Sequence, residues 1–170
     1  MNIDIFIPAR LESTRLPKKH LEKINKITLI EHLVNRLKKV KKIRKIIVCT
    51  TNKNEDNQLV NFLIQKKILY FRGSEKDILK RFIDAAEEFN TDIIIDIEGD
   101  KLYTEPKFVD NIISEMENSN YDFIIGNDSS DIFNPNYLFH GIIPTAVKVS
   151  ALKKIHLLEN HENKETGYKE

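Results

Sequence analysis

The sequence lacks both of the glycine-rich motifs that most often bind nucleotide phosphates. No G-x-G-x-x-G follows the first apolar run, which disfavours a Rossmann dinucleotide site, and no Walker A glycine loop precedes Lys18 or Lys19. A site for a phosphorylated ligand would therefore have to be built from other residues.

Three further absences limit the class of protein. Cys49 is the single cysteine, which excludes an internal disulfide, and its place in the apolar run of residues 46–49 indicates a small core residue. No apolar run approaches transmembrane length, and the N-terminus opens with a strand pattern instead of the basic segment of a signal peptide. The 27 Lys and Arg residues balance the 26 Asp and Glu residues. We therefore expect a cytoplasmic protein that binds neither nucleic acid nor membranes.

Short apolar runs, typical of buried strands, alternate with segments of helical periodicity. The alternation predicts an α/β protein with a Rossmann-like three-layer αβα architecture and a mostly parallel, doubly wound sheet. We expect one domain over residues 1–170. The predicted strands are residues 3–7, 45–50, 68–71, 92–97 and 121–125. The predicted helices cover residues 29–39, residues 55–66, the segment from Ser74 to Phe89 and the segment that follows Pro106.

Two polar patterns mark the starts of predicted helices. Thr28 and Glu31 have the spacing of a capping box, in which the hydroxyl of the first residue accepts the backbone N–H of the second. Ser74 stands three positions before Asp77, a carboxylate that would complement a helix N-terminus, and this spacing predicts Ser74 as the N-cap.

The pattern is interrupted after the fifth predicted strand. Residues 126–140 combine clustered turn residues with aromatic side chains, and we predict an irregular excursion that covers a site or meets a partner subunit. Residues 142–149 are then predicted to return as a strand, and Ser150 to cap a helix that ends near Leu158. Residues 160–170 form a polar tail.

A dense group of cationic and hydroxyl side chains follows the first strand, which Pro8 ends because it has no N–H for a ladder. Arginine forms bidentate bonds to phosphate oxygens, lysine adds a mobile charge, and hydroxyls fill the remaining positions. Ligands of open α/β sheets bind beyond the carboxyl ends of the strands, so the loop predicts a site for a polyanion such as a nucleotide triphosphate. The alternative is an ordinary solvated loop. The side chains concerned are Arg10, Ser13, Thr14, Arg15, Lys18 and Lys19.

Asp100 follows the predicted strand of residues 92–97 and would lie on the same rim as Arg10. Magnesium usually takes one or two protein carboxylates and completes its octahedron with water and phosphate oxygens. We therefore identify Asp100 as a candidate Mg²⁺ ligand. The alternative is an exposed acid in the turn after Gly99.

Three segments, IPARLESTRLPKK, RGSEKDILKRF and IEGD, occur in an order and spacing that resemble the cytidylyltransferases that make CMP-activated sugars. These include the acylneuraminate and 3-deoxy-manno-octulosonate cytidylyltransferases, and the sequence looks closest to the spore-coat polysaccharide biosynthesis branch. The resemblance covers residues 3–125. It implies a nucleotide-diphospho-sugar transferase fold that binds CTP and Mg²⁺.

The resemblance also implies residue roles and a reaction. A hydroxyl of a sugar or sugar acid would attack the α-phosphate of CTP and expel pyrophosphate, as a step towards surface polysaccharide. A homodimer is an expectation from the same resemblance, with which the aromatics of residues 133–139 are compatible. Arg15, Lys19 and Asp100 would be catalytic, and Asp100 would carry the metal. The nucleotide would be bound by Arg10, Ser13, Thr14, Arg15, Lys19, Thr51 and Arg72.

Two departures from the family pattern leave other functions open. The family usually has glycine at the position of Lys18, and the spore-coat branch tends to have an acidic pair near Ile143 and Thr145, neither of which is acidic here. The family is also commonly longer than this chain. A non-catalytic homologue that binds a nucleotide or nucleotide-sugar, and a glycosyltransferase of related fold, are therefore the alternatives.

Overall fold

The computed structural model of the chain describes residues 1–13, 16–125 and 144–158. Over these ranges the chain forms a six-stranded sheet with helices on both faces and a separate two-stranded hairpin. The strands are β1 (Ile3–Pro8), β2 (Lys23–Ile24), β3 (Ile27–Thr28), β4 (Lys45–Thr51), β5 (Leu69–Gly73), β6 (Ile93–Asp96), β7 (Phe123–Ile125) and β8 (Thr145–Lys148). The helices are α1 (Leu29–Leu37), α2 (Asn57–Gln65), α3 (Ile78–Phe89), α4 (Pro106–Asn118) and α5 (Val149–Leu158), with 3₁₀ turns at Lys19–Leu21 and Asn54–Asp56.

The sheet has the strand order β5-β4-β1-β6-β8-β7. The first four of these strands are mutually parallel, whereas β8 runs antiparallel to both β6 and β7. The predicted mostly parallel αβα sheet is therefore confirmed, with one antiparallel strand near its edge. An antiparallel neighbour needs no crossover helix, so the regular strand-helix alternation can end before β8.

The central strand β1 sends alternate side chains into two separate cores. Ile3, Ile5 and Ile7 pack with residues of α1, α2 and α4 on one face of the sheet. Phe6 points to the opposite face, where its ring meets the ring of Phe82 of α3 edge-on, with centroids 5.6 Å apart. Both faces of β1 are therefore buried, as its continuous apolar sequence indicates.

Two predictions about helix starts have different outcomes. Thr28 caps α1 as predicted, because its hydroxyl accepts the N–H of Glu31 at 3.3 Å. The predicted N-cap at Ser74 is wrong: the cap of α3 is Asp77, whose carboxylate accepts the N–H of Lys80 at 2.8 Å. Ser74 instead accepts the N–H of Asp77 at 3.1 Å and forms a turn between β5 and the helix.

The last described helix also starts earlier than predicted. α5 begins at Val149, so Ser150 lies inside the helix and does not cap it. The N–H of Val149 donates to the carbonyl of Asp92 at 2.9 Å, which continues the β8–β6 ladder directly into the helix and leaves no separate capping turn. The predicted excursion of residues 126–140 and the polar tail of residues 160–170 lie outside the described residues.

A hairpin that the sequence patterns did not indicate connects the first loop to α1. β2 and β3 pair across a two-residue turn at Asn25 and Lys26, both of which have positive φ, 51° and 69°. Positive φ at both central residues is the mark of a type I′ turn, whose usual signal is glycine at the second position. Lysine at that position is why the hairpin was missed.

None of the helices in the described part of the chain has the length and apolar character needed to cross a bilayer.

A buried ion pair ties the start of β1 to two neighbouring segments. Asp4 is fully buried and accepts hydrogen bonds from Arg44 Nε at 3.1 Å and from a second guanidinium nitrogen of Arg44 at 2.6 Å. The hydroxyl of Thr91 donates to the same carboxylate at 2.6 Å. The carboxylate is thus surrounded by donors, which is the condition under which a charge can be buried.

Replacing this carboxylate should destabilise the sheet. Asp4→Asn keeps the volume but offers one acceptor oxygen to three donors, so we expect the free energy of unfolding to fall by about 2 kcal/mol. Chemical denaturation measures this. Asp84→Asn is the control, because Asp84 pairs with Lys80 on the exposed face of α3 and should contribute less than about 0.5 kcal/mol. Equal effects of the two substitutions would contradict the structural role of Asp4.

Candidate functional site

An open cavity of about 1010 Å³ lies at the carboxyl edge of the parallel strands. Its walls come from the loops that follow β1, β4, β5 and β6, together with the first turns of α3. The volume suits a ligand of nucleotide size, and the position is the one at which open α/β sheets bind ligands.

The structure brings four of the predicted site residues together around this cavity. Arg10 and Ser13 line it from the loop after β1, Lys19 from the following 3₁₀ turn, and Asp100 from the loop after β6. Thr14 and Arg15 lie outside the described residues. Thr51 and Arg72 are not among the lining residues, although they sit in the strands beneath the rim.

Lys19 and Asp100 form an ion pair in the lining of the cavity, in which the ammonium donates to Oδ2 of the carboxylate. Partial burial raises the pKa of the Asp100 carboxyl, but the hydrogen bond and the positive charge of Lys19 outweigh this effect, so that its pKa lies below the usual range. Asp100 is therefore an ionised carboxylate, and 45% of its side-chain surface is exposed to the cavity and solvent. Asp100 therefore has the negative charge and the solvent exposure that a carboxylate needs to coordinate a metal cation.

Lys18 holds a backbone conformation that favours glycine. It has φ 57° and ψ 19°, in the left-handed region, at the start of the 3₁₀ turn that carries Lys19. Its N–H donates to the carbonyl of Leu11 at 2.9 Å and closes the loop after β1. The glycine usual at this position in the resembling family would adopt the same conformation without strain.

Asp56 anchors the loop after β1 to the end of β4. Its buried carboxylate accepts the N–H of Leu11 at 2.7 Å through one oxygen. The other oxygen accepts the hydroxyl and, at 3.3 Å, the N–H of Thr51. The side chain of Thr51 is fully buried and thus supports the site from below.

Arg72 binds the turn between β4 and α2. Its guanidinium donates to the carbonyl of Thr51 at 3.0 Å, to the carbonyl of Lys53 at 2.6 Å and to Oδ1 of Asn57 at 2.7 Å. This fork of bonds fixes the turn beneath the rim. The implied contact of Thr51 and Arg72 with the nucleotide stays a prediction.

His20 and Gly99 bring the two halves of the rim into contact. His20 is buried, and burial together with the charge of Lys19 lowers its pKa to about 4, so the imidazole is neutral at neutral pH. A Cβ at Gly99 would lie 2.7 Å from Cε1 of His20 and 3.1 Å from the carbonyl oxygen of Pro8. Glycine is therefore required for this approach, which places Asp100 beside Lys19.

Three buried polar residues around the cavity were missed by the sequence analysis: His20, Asp56 and Arg81. Arg81 alone had a usable signal. It lies on α3 between Ile78 and Phe82, so a cation occupies the face of an amphipathic helix that is otherwise apolar. The other two are short polar residues in turns, whose burial depends on segments far away in the sequence.

Asp100 is the carboxylate that the sequence analysis assigned to a metal. No group of three or more His, Cys, Asp or Glu side chains in the described ranges is arranged to hold a metal ion. Asp100 with the phosphate oxygens of a ligand nevertheless fits Mg²⁺, which often binds through one or two carboxylates and substrate phosphates. Thr145, one of the two positions at which the family pattern has acids, is buried in β8, and Ile143 lies outside the described residues.

A mostly parallel αβα sheet with a cationic loop and a carboxylate at its carboxyl edge places the chain among the α/β proteins that bind their ligands beyond the strand ends. The chain belongs to the cytidylyltransferase family, which matches residues 5–166. The family resemblance of the sequence motifs is therefore confirmed.

Individual relatives agree with this assignment. An uncharacterized protein of Methanocaldococcus jannaschii, MJ1063, is 40% identical over 124 residues, which are 73% of this chain and 51% of that protein. The spore coat polysaccharide biosynthesis protein SpsF of Bacillus subtilis is 32% identical over 132 residues, 74% of this chain and 55% of SpsF. The solved structure of a cytidylyltransferase from Leptospira borgpetersenii superposes with a TM-score of 0.82 at 28% identity, covering 95% of this chain and 66% of that one. The chain thus spans about half the length of the two sequence relatives.

Lys18→Gly should stabilise the protein slightly. Glycine relieves the left-handed strain of about 1–2 kcal/mol but increases the entropy of the unfolded chain by about 0.4–1 kcal/mol, so we expect a net gain of about 0.5 kcal/mol. Denaturant unfolding measures the difference. Lys38→Gly is the control, because Lys38 is in the right-handed helical region after α1 and glycine there should destabilise. A loss of stability in both variants would rule out strain at Lys18.

Removing the anchor at Asp56 should affect stability and ligand binding together. Asp56→Asn replaces one of two acceptor oxygens by a donor, which then faces either Leu11 or Thr51, and we expect a loss of about 1–3 kcal/mol. CTP affinity, measured by calorimetry, should fall as well because the loop carrying Arg10 loses its tether. Thr51→Val is the graded control: it removes the hydroxyl, which donates to Asp56 and accepts the N–H of Lys53 at 3.2 Å, and leaves the Leu11 bond intact. If Thr51→Val weakened CTP binding more than Asp56→Asn, Thr51 would contact the nucleotide directly.

Proposed function

We propose that this chain binds CTP and Mg²⁺ and transfers CMP to a hydroxyl of a sugar or sugar acid, with release of pyrophosphate, in the making of surface polysaccharide. The observation that carries the proposal is the Lys19–Asp100 pair, which sets a cation and an ionised carboxylate side by side at the rim of a nucleotide-sized cavity. Membership of the cytidylyltransferase family supports it. The cytoplasmic location and the homodimer expected from the sequence belong to the same proposal.

Cytidylyl transfer depends mainly on positioning the two substrates and neutralising the charge of the phosphates. The sugar hydroxyl oxygen forms a bond to the α-phosphorus and loses its proton to solvent, while the bond from that phosphorus to the bridging oxygen of pyrophosphate breaks. Arg10 and Lys19 would bind the triphosphate oxygens and stabilise the charge that develops on pyrophosphate, and Ser13 would add a hydroxyl donor. A magnesium ion held by Asp100 would neutralise further phosphate charge.

A second candidate is a homologue that binds the nucleotide or nucleotide-sugar without turnover. It is favoured by the donor set, since Asp100 is the one carboxylate identified for the metal and Thr145 stands where the spore-coat pattern tends to have an acid. In that case CTP would protect the protein against thermal unfolding, but no sugar would yield pyrophosphate.

The two candidates are separated by one assay. The protein is incubated with CTP, Mg²⁺ and a panel of sugars and sugar acids, and pyrophosphate release is followed while calorimetry measures CTP binding. Cytidylyl transfer predicts both binding and release with at least one acceptor. Binding without release selects the second candidate, and absence of CTP binding overturns both.

The metal role of Asp100 has its own test. We expect Asp100→Asn to reduce Mg²⁺-dependent turnover by about 100-fold or more, because the neutral amide is a poor ligand for a hard cation, with a smaller effect on CTP binding. Asp122→Asn is the matched control, since Asp122 also pairs with a lysine, Lys148 at 3.1 Å, but outside the cavity. Parental turnover in Asp100→Asn would place the metal elsewhere.

A further inference from the structure

Arg81 is a buried cation in the wall of the cavity. Only 5% of its surface is exposed, yet its side chain contributes to the cavity lining. One guanidinium nitrogen donates to the carbonyl of Ser74 at 3.1 Å, and Nε is buried without a hydrogen-bond partner in the described part of the chain. No carboxylate of the described residues lies within 4.0 Å of this guanidinium.

Other cations around the cavity are neutralised by acids. Lys19 pairs with Asp100, and Lys53 bridges Glu12 and Glu75, the latter at 2.7 Å. These lysines are partly exposed, so water would solvate them even without a partner. Arg81 is much less exposed than these lysines and has no carboxylate of the described residues within 4.0 Å, and a buried charge without a close partner is costly to the fold.

The surroundings of Arg81 disfavour the charged form of its guanidinium. Burial lowers the pKa of the Arg81 guanidinium and the nearby charge of Arg10 lowers it further, against smaller opposite effects of the charges of Asp56 and Asp77. Cys49 offers no compensation, because burial raises the pKa of its thiol far above the usual range and keeps it neutral. Arginine nevertheless stays protonated in proteins, so the positive charge persists and requires an anion.

The fold makes room for this side chain at a specific place. A Cβ at Gly73 would lie 2.8 Å from Cγ of Arg81 and 2.8 Å from the ring of Phe71. Glycine at the end of β5 therefore lets the aliphatic stem of Arg81 cross between the strand and α3 and reach the cavity. The bond to the Ser74 carbonyl then fixes the orientation of the guanidinium.

We propose that Arg81 is a further nucleotide-binding residue, whose guanidinium binds a phosphate of the ligand from the wall of the cavity that α3 forms. The inference rests on the proposed function. A phosphate fits better than a neutral base edge because it supplies the negative charge that the buried guanidinium lacks, and arginine matches phosphate oxygens with paired N–H donors. Arg10, close enough to repel Arg81 in the ligand-free protein, would share the same anion.

The test is Arg81→Met, which keeps an unbranched stem between Gly73 and the cavity but removes the charge. Lys80→Met is the matched control: it removes the same charge from the adjacent position of α3, where Lys80 is exposed and paired with Asp84 at 2.8 Å. Both variants and the parent are titrated by calorimetry with CTP, inorganic pyrophosphate and cytidine, and the thermal unfolding of each ligand-free protein is recorded.

We expect Arg81→Met to weaken CTP and pyrophosphate binding by about tenfold or more, since it loses a charge-assisted contact, and to leave cytidine binding unchanged. Its ligand-free midpoint should equal or exceed that of the parent, because an unpaired buried charge has been removed. Lys80→Met should resemble the parent in all three titrations. Arg81→Lys keeps the charge but lacks the paired N–H donors of a guanidinium. It should bind CTP with intermediate affinity.

Two outcomes would overturn the inference. A lower unfolding midpoint with parental CTP affinity would make Arg81 a purely structural residue, and an equal loss for cytidine and CTP would place it at the base. The proposed function fails separately: pyrophosphate binding that depends on Arg81 without cytidylyl transfer would leave the inference standing. A parent that binds neither CTP nor pyrophosphate would overturn both.

Discussion

The carboxylate of Asp56 holds together the two segments on which the cavity depends. It reaches from the 3₁₀ turn after β4 to the N–H of Leu11, a residue 45 positions earlier, and it also binds the N–H and hydroxyl of Thr51. Because a buried carboxylate is stable only when donors surround it, the same bonds that stabilise the charge fix the positions of both loops. Leu11 in turn accepts the N–H of Lys18, so the turn that presents Lys19 is tied through Leu11 to the interior of the sheet.

Two lysines at the cavity are each compensated by acids in the ligand-free protein. Asp100 holds Lys19, and Lys53 is held between Glu12 and Glu75, bonds that raise the pKa of the Lys53 ammonium. Under the proposed function, a triphosphate would compete with Asp100 for Lys19. The released carboxylate would then face a divalent cation that arrives with the same phosphates. Exchange of partners between existing charges needs little rearrangement of the backbone, which suits a site built on rigid strand ends.

The sequence patterns predict the strands and helices of this structure, but they predict few of the buried polar contacts that hold the site in place. Apolar runs and helical periodicity predict β1 and its neighbours, because a strand that is buried on both faces has a continuous apolar sequence. The placement of Lys19 beside Asp100 followed from topology, since parallel strands end at one edge. Asp56 and His20 could not be found in this way, because a short polar residue in a turn reads the same whether it is solvated or buried. The hairpin at Asn25 escaped for a related reason: its positive φ values are held without glycine.

Several departures from ordinary sequence rules lie around the cavity, although left-handed residues other than glycine also occur elsewhere, at Lys26 and Lys67. At the cavity, Lys18 adopts a left-handed backbone, His20 is buried beside a required glycine at Gly99, and Arg81 is buried with no carboxylate of the described residues within 4.0 Å. The left-handed backbone of Lys18 and the buried charge of Arg81 lower the stability of the ligand-free protein, whereas the cores on both faces of the sheet follow the usual pattern of apolar burial. Under the proposed function, the phosphates of a bound nucleotide would offset the charge of Arg81 and so stabilise the folded chain.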